Sequence, residues 1–280
     1  MINPPEITPP PCMLCQGRNF RIFQETTSQS KALECQDCHL VFIHPPPEAK
    51  FLKAHYNDEE YYREWIEKQM PRRIVMWGQR LKDLQRHRSH GRLLDIGCGL
   101  GTFLHLAKKE GFQVEGTEIS RFACQFSEEQ YGIKPFQGYL QDARFPSGHF
   151  DIVSLWHVLE HLHNPQEVLK EIHRILKPGG LFVVAVPHLN NYIMQWAYRI
   201  AKGKKLVLFS VEDKELHLYH YSEITLKRLI ESHGFEVIQQ SIDWGQVVWT
   251  HQLLDLLACF VYFVTGKNYS QAIRVYAVKR

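Results

Sequence analysis

Nowhere in the 280 residues does an apolar run reach the roughly 20 residues that a bilayer-spanning helix needs, so no segment reads as a transmembrane span. The opening "MINPPEITPPP" lacks a basic region followed by an apolar one, the pattern of a secretory leader, and a cytosolic setting is the expectation. Internal repeats are absent, and the only biased tracts are short proline clusters. Excess charge is scarce as well: 33 Lys and Arg against 30 Asp and Glu leave a net +3, too little on so long a chain to argue for a nucleic-acid partner. With 44% hydrophobic residues the chain can bury a sizeable core, as one main domain with a small appendage.

Cysteine is sparse and unevenly placed. Four of the seven stand as two Cys-x-x-Cys pairs within residues 12–38, while Cys98, Cys124 and Cys259 fall outside that framework. In a reducing compartment such spacing reads as a metal site rather than as disulfides. Cys12, Cys15, Cys35 and Cys38 are the expected ligands of one zinc ion, each pair turning both sulfurs toward it. The stretches "NFRIFQE", "KALECQ" and "LVFIH" read as three short strands, so residues 1–47 have the pattern of a zinc ribbon. Four thiolates would close the coordination sphere and make the zinc structural. A redox dithiol would instead stand at a strand-to-helix junction of a βαβ unit. His39 and His44 are bystanders on this reading.

"HPPPEAKF" punctuates the end of that module near Pro47, and residues 52–90 read as helices leading into a second domain spanning 48–280. From residue 91 apolar strands alternate with amphipathic helical stretches, which predicts an α/β domain: a parallel sheet covered by helices on both faces. The rhythm breaks after residue 189. It resumes with helix "SEITLKRLIESHG", strand "FEVIQQS", an apolar helical stretch around 247–264 and a last strand "IRVYAVKR".

"LLDIGCGLG" ends a buried strand and opens a helix, the place where an α/β sheet binds a nucleotide-like ligand. A dinucleotide fingerprint wants a small residue at 102 or 104, and the chain has Thr102 and Leu104 there. The phosphate-binding P-loop is excluded too, because no lysine followed by serine or threonine comes after the glycines.

Asp95-x-Gly97-x-Gly99-x-Gly101 resembles the first motif of the class I S-adenosylmethionine-dependent methyltransferases. The resemblance continues in order through "GTEIS", "GYLQDARFPSGHFDIV", "LWHVLEHL" and "LKPGGLFVVAVP", covering about 91–188 in detail. It implies a Rossmann-like, mostly parallel seven-stranded sheet and S-adenosylmethionine as cofactor. Glycines would let backbone amides approach the amino-acid end of the cofactor, and Asp95 would hold the loop or, through water, the ammonium group. Glu118 would accept both ribose hydroxyls. At the adenine end Tyr139 stands where family members often carry an acidic residue, leaving Leu140 to offer its backbone and Asp142 its carboxylate.

Methyl transfer from a sulfonium is an in-line displacement, so the chain must position the acceptor and take a proton where one is lost. His157, at the end of the fourth strand, is one candidate base. Glu160 and His161 read as structural or cofactor-lining. "ELHLYHYSEITLKRLIESHGF" resembles a segment of zinc-ribbon methyltransferases acting on sugars in which a histidine five residues before a serine lies at the active site. That resemblance implies His217, ahead of Ser222, as the preferred base, with Ser222 as a helix cap.

Residues 189–221 are expected to form a lid over the acceptor. Ile193, Trp196, Ala197 and Ile200 share a helical face there, while Arg199, Lys202, Lys204 and Lys205 crowd its end. A basic amphipathic helix of this kind, with the apolar "LLACFVYFV", also suits peripheral contact with a membrane. The expected activity is methyl transfer to a small-molecule, sugar or lipid-linked acceptor, oxygen first. The alternative is a zinc-ribbon module that recruits protein or RNA and carries a silent methyltransferase-like domain. Arg18, Arg21 and Lys31 are too few cations between the cysteine pairs to favour RNA.

Overall fold

The computed structural model describes residues 8–26, 30–48, 59–208, 216–243 and 249–280. Expectations for residues 27–29, 49–58, 209–215 and 244–248, which include part of the anticipated lid, lie outside the described residues.

Two sheets organise the chain. The larger has seven strands, and its centre is the predicted alternation: β4 (Arg92–Ile96), β5 (Gln113–Glu118), β6 (Phe136–Gln137), β7 (Phe150–Trp156) and β8 (Leu176–Pro187). With β10 (Phe235–Ile242) and β11 (Ala272–Lys279), their spatial order is β10-β11-β8-β7-β4-β5-β6. β4 pairs in parallel with both β5 and β7, and β7 with β8, whereas β11 runs antiparallel to β8 and β10. The order in which strands are added reverses beside β4, so the carboxyl ends of β4, β5 and β7 open a crevice there.

Alternation along the central strands divides the core between the two faces. Leu93, Ile152, Leu181 and Val183 pack on one side against α2 (Met70–Gln85) and α3 (Thr102–Lys109), through Leu81, Leu84, Phe103 and Leu104. Their neighbours Leu94, Val153, Phe182 and Val184 face the other side, where α5 (Pro165–Ile175) buries Val168, Leu169, Ile172 and Ile175. A period of two on the strands and of 3.6 on the helices makes both faces apolar. α4 (Arg121–Tyr131) joins β5 to β6, and α7 (Glu223–Glu231) begins with a reciprocal capping box between Ser222 and Thr225, bearing out Ser222 as a cap. Helix α1 (Glu59–Glu64) runs through a π-helical turn, Trp65–Gln69, into α2.

The smaller sheet has the order β1-β2-β3-β9, from β1 (Phe20–Glu25), β2 (Lys31–Cys35), β3 (Val41–His44) and β9 (Tyr219–His220). Its first three strands match the sequence expectation. The fourth arrives from far along the chain: Val41 and Phe42 pair antiparallel with His220 and Tyr219, and the Ile43 amide donates to the Leu218 carbonyl at 2.9 Å. Ala32, Val41 and Ile43 share a core with Leu216 and Leu218. The two sheets are therefore joined by a strand and by packed side chains as well as by the chain itself.

The late segment holds α6 (Tyr192–Lys202) and α8 (Trp249–Thr265). No residue of α6 is buried, and Trp196 and Ile200 on its apolar face are each 65% exposed. No helix among the described residues is long and apolar enough to cross a membrane.

Candidate functional site

The crevice deepens into a cavity of about 790 Å³. That is within the usual range for a pocket holding a small ligand. β4 ends at Ile96, and three glycines with left-handed backbone carry the chain into α3: Gly97 (φ 68°), Gly99 (φ 52°) and Gly101 (φ 73°). A Cβ at Gly97 would lie 2.6 Å from Val158, and one at Gly101 2.2 Å from the Ser127 hydroxyl. At Gly99 a Cβ would meet nothing nearer than Tyr62, 4.0 Å away, so a side chain there would enter the cavity. Gly97 and Gly99 line it; Gly101 starts the helix behind it.

Glu118 stands opposite, at the end of β5. One carboxylate oxygen accepts the Gly99 amide and the other the Ser120 amide, each at 2.8 Å. It is only 6% exposed, and burial pushes its pKa up although these amides oppose the shift. No cation pairs with it among the described residues. Two oxygens held in place, each with a lone pair to spare, suit a ligand bringing two hydroxyl donors. Asp95 accepts from the Ser154 hydroxyl at 2.7 Å, and burial raises its pKa to about 7. It lines the same cavity and would be returned to the charged form by an ammonium group. A glycine cradle, a paired hydroxyl acceptor and a carboxylate for an ammonium fit the amino-acid and ribose parts of S-adenosylmethionine.

Further along the wall, Tyr139 and Leu140 line the cavity with Gln141, on the short turn Leu140–Ala143. Asp142 is on that turn, beside the lining residues rather than among them.

The histidines divide in the same way. His157 lines the cavity with a left-handed backbone, φ 58°, its amide donating to the Ala185 carbonyl at 2.9 Å. Its Nε2 lies 3.3 Å from Asp243 and 3.1 Å from Arg80, and its Nδ1 is 3.6 Å from Glu160. Burial is the largest single influence and favours the neutral ring, but the two carboxylates together outweigh it and raise the pKa to about 9. Held so, His157 is charged at neutral pH and offers a proton rather than accepting one. His217 does not line the cavity: its ring lies against that of His161, 4.9 Å between centroids, and His161 forms the wall. From its position ahead of a capped helix His217 is expected over the acceptor; here its ring stands behind His161. β9 draws this segment into the smaller sheet and sets His217 behind His161.

A buried ion-pair network supports this wall and carries no sequence signal. Arg80 of α2 makes a bidentate pair with Asp243, just past β10, and its guanidinium lies 4.7 Å and 4.9 Å from the Trp77 and Trp156 rings. Arg274 adds a second contact to Asp243 at 3.8 Å and reaches Asp83 at 2.8 Å. Burial opposes the Asp243 charge, but the cations around it hold its carboxyl well below the usual range.

The four N-terminal sulfurs gather as predicted. Cys12 and Cys38 Sγ are 3.5 Å apart, as are those of Cys15 and Cys35, and all four lie within 4.8 Å of one another. Four sulfurs about 2.3 Å from a tetrahedral ion stand about 3.8 Å apart, so the cluster needs little adjustment to hold zinc. Each pair is followed by a left-handed residue, Gln16 and His39, both at φ 64°, and the Gln16 and His39 amides return to the Cys12 and Cys35 carbonyls at 2.8 Å. Burial pushes the Cys12 thiol up to about 11 where no cation offsets it.

Comparison with known proteins agrees with this geometry. The family described as a methyltransferase domain matches residues 64–240. A 2-methyl-6-phytyl-1,4-hydroquinone methyltransferase of Synechocystis is 31% identical over 141 residues, 47% of this chain and 42% of that protein. A ubiquinone biosynthesis O-methyltransferase of Coxiella burnetii is 28% identical over 159 residues, 52% of this chain and 64% of that protein. The chain thus spans about half the length of the curated relatives it matches. In fold it is similar to a SAM-dependent methyltransferase of Thermotoga maritima, with a TM-score of 0.55 at 19% identity, covering 83% of this chain and all of that one.

Proposed function

Because the chain belongs to the class I S-adenosylmethionine-dependent methyltransferases, we propose that it moves a methyl group to an oxygen of an apolar, lipid-linked or glycan-related small molecule. The observation that carries the cofactor half of this reading is Glu118, a buried carboxylate that no cation pairs with among the described residues, accepting the Gly99 amide of the glycine loop. When bound, S-adenosylmethionine supplies an electrophilic methyl group on sulfur. The chain's part is to hold the acceptor in line behind that methyl and to exclude water. Asp95 and the Gly97–Gly99 backbone would take the amino-acid end, Glu118 the ribose, and Tyr139, Leu140 and Gln141 the adenine. His157 would stand beside the acceptor, its two nitrogens held by Asp243 and Glu160 and its imidazolium contributing positive charge to that end of the cavity.

An apolar or lipid-linked acceptor is favoured by what surrounds the mouth. Asn191 and Met194 of the α6 segment and His251 of α8 line the cavity, and beyond them α8 presents Phe260, Phe263 and Val264 at 66%, 90% and 64% exposure. Arg199, Lys202, Lys204 and Lys205, at the end of α6 and just past it, are exposed as well. Apolar anchors beside a cationic rim suit an anionic membrane surface. Two of the curated relatives are named for hydroquinone and ubiquinone chemistry, which supports an acceptor of that apolar kind. We assign zinc to the four cysteines as a closed, structural ion in a ribbon over residues 1–47, with 189–221 as the lid insertion of the domain at 48–280. The alternative of a silent domain gains nothing from a cavity with its glycine loop and Glu118 in place.

The test is calorimetric titration of S-adenosylmethionine. Glu118→Ala should weaken binding by about 1.5–3 kcal/mol, the value of hydrogen bonds to a charged group, with the zinc content unchanged. Wild-type protein that does not bind the cofactor would overturn the reading.

A further inference from the structure

Glu160 is 1% exposed, and among the described residues neither of its carboxylate oxygens has a hydrogen-bond partner. The charged His157 imidazole stands 3.6 Å from Oε1 on one side, and the carboxylate keeps lone pairs for a second cation. His161 directs a nitrogen toward it. The His161 Nδ1 lies 2.9 Å from the Leu216 carbonyl, which can only accept, so Nδ1 carries the hydrogen and the neutral ring presents the lone pair of Nε2. That lone pair lies 3.8 Å from the Glu160 Oε1. A backbone carbonyl fixing the far nitrogen of an imidazole is the support that metal-bound histidines ordinarily have. The third group is His217: one ligand atom from each of Glu160, His161 and His217 lies within 4.8 Å of the others.

The arrangement is held from both sides. Leu216 and Leu218, buried in the smaller sheet's core, anchor the chain on either side of His217, and the Leu218 amide donates to the Glu160 carbonyl at 2.7 Å. Atoms bound about 2.1 Å from a common ion stand about 3.4 Å apart at tetrahedral and about 3.0 Å at octahedral angles, so side-chain rotations of about an ångström close the site.

From this we infer that Glu160, His161 and His217 form a second metal site, open where the Cys12–Cys38 site is closed. Two imidazoles and a carboxylate suit a divalent transition ion such as Zn²⁺ or Mn²⁺ rather than Ca²⁺. Three protein ligands leave at least one position for another donor, and His161, the one of the three that lines the cavity, places that position at the cavity wall. There the ion would polarise an acceptor oxygen, a role that rests on the methyl-transfer reading; metal binding itself does not.

Full-length protein as purified, after its zinc content is measured, is titrated with Mn²⁺ while free Mn²⁺ is followed by electron paramagnetic resonance, and in parallel with Zn²⁺ by calorimetry. Wild type should take up one ion per chain beyond the cysteine-bound zinc. His217→Ala and Glu160→Gln should weaken that uptake at least tenfold. His217→Ala removes a half-buried ring and is the decisive variant should Glu160→Gln fail to fold; its cysteine-bound zinc and S-adenosylmethionine affinity should stay as in wild type. A wild-type chain that binds neither ion beyond the first equivalent, or a His217→Ala variant that binds as tightly as wild type, overturns the site. A second ion on a chain that does not bind S-adenosylmethionine supports the site while the methyl-transfer reading fails; cofactor binding without a second ion overturns the site alone.

Discussion

Asp95 shows how one buried residue ties ligand binding to pH. Burial raises its pKa to about 7, far above its unfolded value, so this residue favours the folded state most below about pH 4 and loses that contribution as pH rises through 7. Ligand binding has the opposite sign. A bound ammonium needs the carboxylate, so a proton competes with the cofactor, and affinity should fall up to tenfold per pH unit below about 7. Titrations between pH 5.5 and 8.5 would show this slope, and Asp95→Asn should bind more weakly with the slope gone. A wild-type affinity independent of pH would remove Asp95 from the ammonium's partners. Its neighbours Gly97, Gly99 and Glu118 were legible in the sequence because strand, turn and helix start follow one another within a few residues. The orientation of Asp142 was not legible, because distance along the chain does not say which way a turn faces.

At the scale of elements, the Arg80–Asp243 pair fastens α2 to the end of β10 across the cavity wall. Both side chains are almost wholly buried, 3% and 0% exposed. Breaking such a pair leaves a charge without compensation, so Arg80→Ala or Asp243→Ala should each cost about 3–5 kcal/mol in urea unfolding, whereas Arg80→Met with Asp243→Asn should recover part of the loss, the amide oxygen still facing Arg274. Similar stability in all three variants would mean that water reaches the network. The helices themselves were readable from their periodicity: α5 buries Val168, Leu169, Ile172 and Ile175 as its spacing requires. α6 was readable as an amphipathic helix, but the exposure of its apolar face was not, because a hydrophobic stripe says nothing about whether a partner lies beside it. If that face and α8 meet a membrane, Phe263→Ser combined with Trp196→Ser should reduce cosedimentation with phosphatidylserine-containing vesicles at least fivefold without changing cofactor affinity. Equal sedimentation of variant and wild type would return both helices to a lid role alone.

For the whole molecule, the consequence lies in how the two sheets are joined. With β9 from residues 219–220 completing the smaller sheet, the cysteine module is part of the wall behind His161. Losing the zinc should therefore disturb more than the first 47 residues. Cys35→Ser should lose the ion by metal analysis and raise amide hydrogen exchange at 216–221 as well as at 31–44, while β4 and β7 in the large sheet stay protected. Exchange confined to 31–44 would show that the module is independent of the domain it leans on.

Sequence by itself determined what depends on short spacing. Two Cys-x-x-Cys turns, a glycine turn between strand and helix, an acidic strand end and a 3.6-residue apolar rhythm each need only neighbours along the chain. Tertiary structure decided every contact made by groups far apart in sequence. Arg80 meets Asp243 across 163 positions, and His161 meets the Leu216 carbonyl across 55. Nothing in a charged or imidazole side chain encodes such a partner. The pairing follows from which strands close the sheets, and that is settled by burying Leu216, Leu218 and the central strands together, so the acceptor end of the cavity took its form from packing rather than from motif.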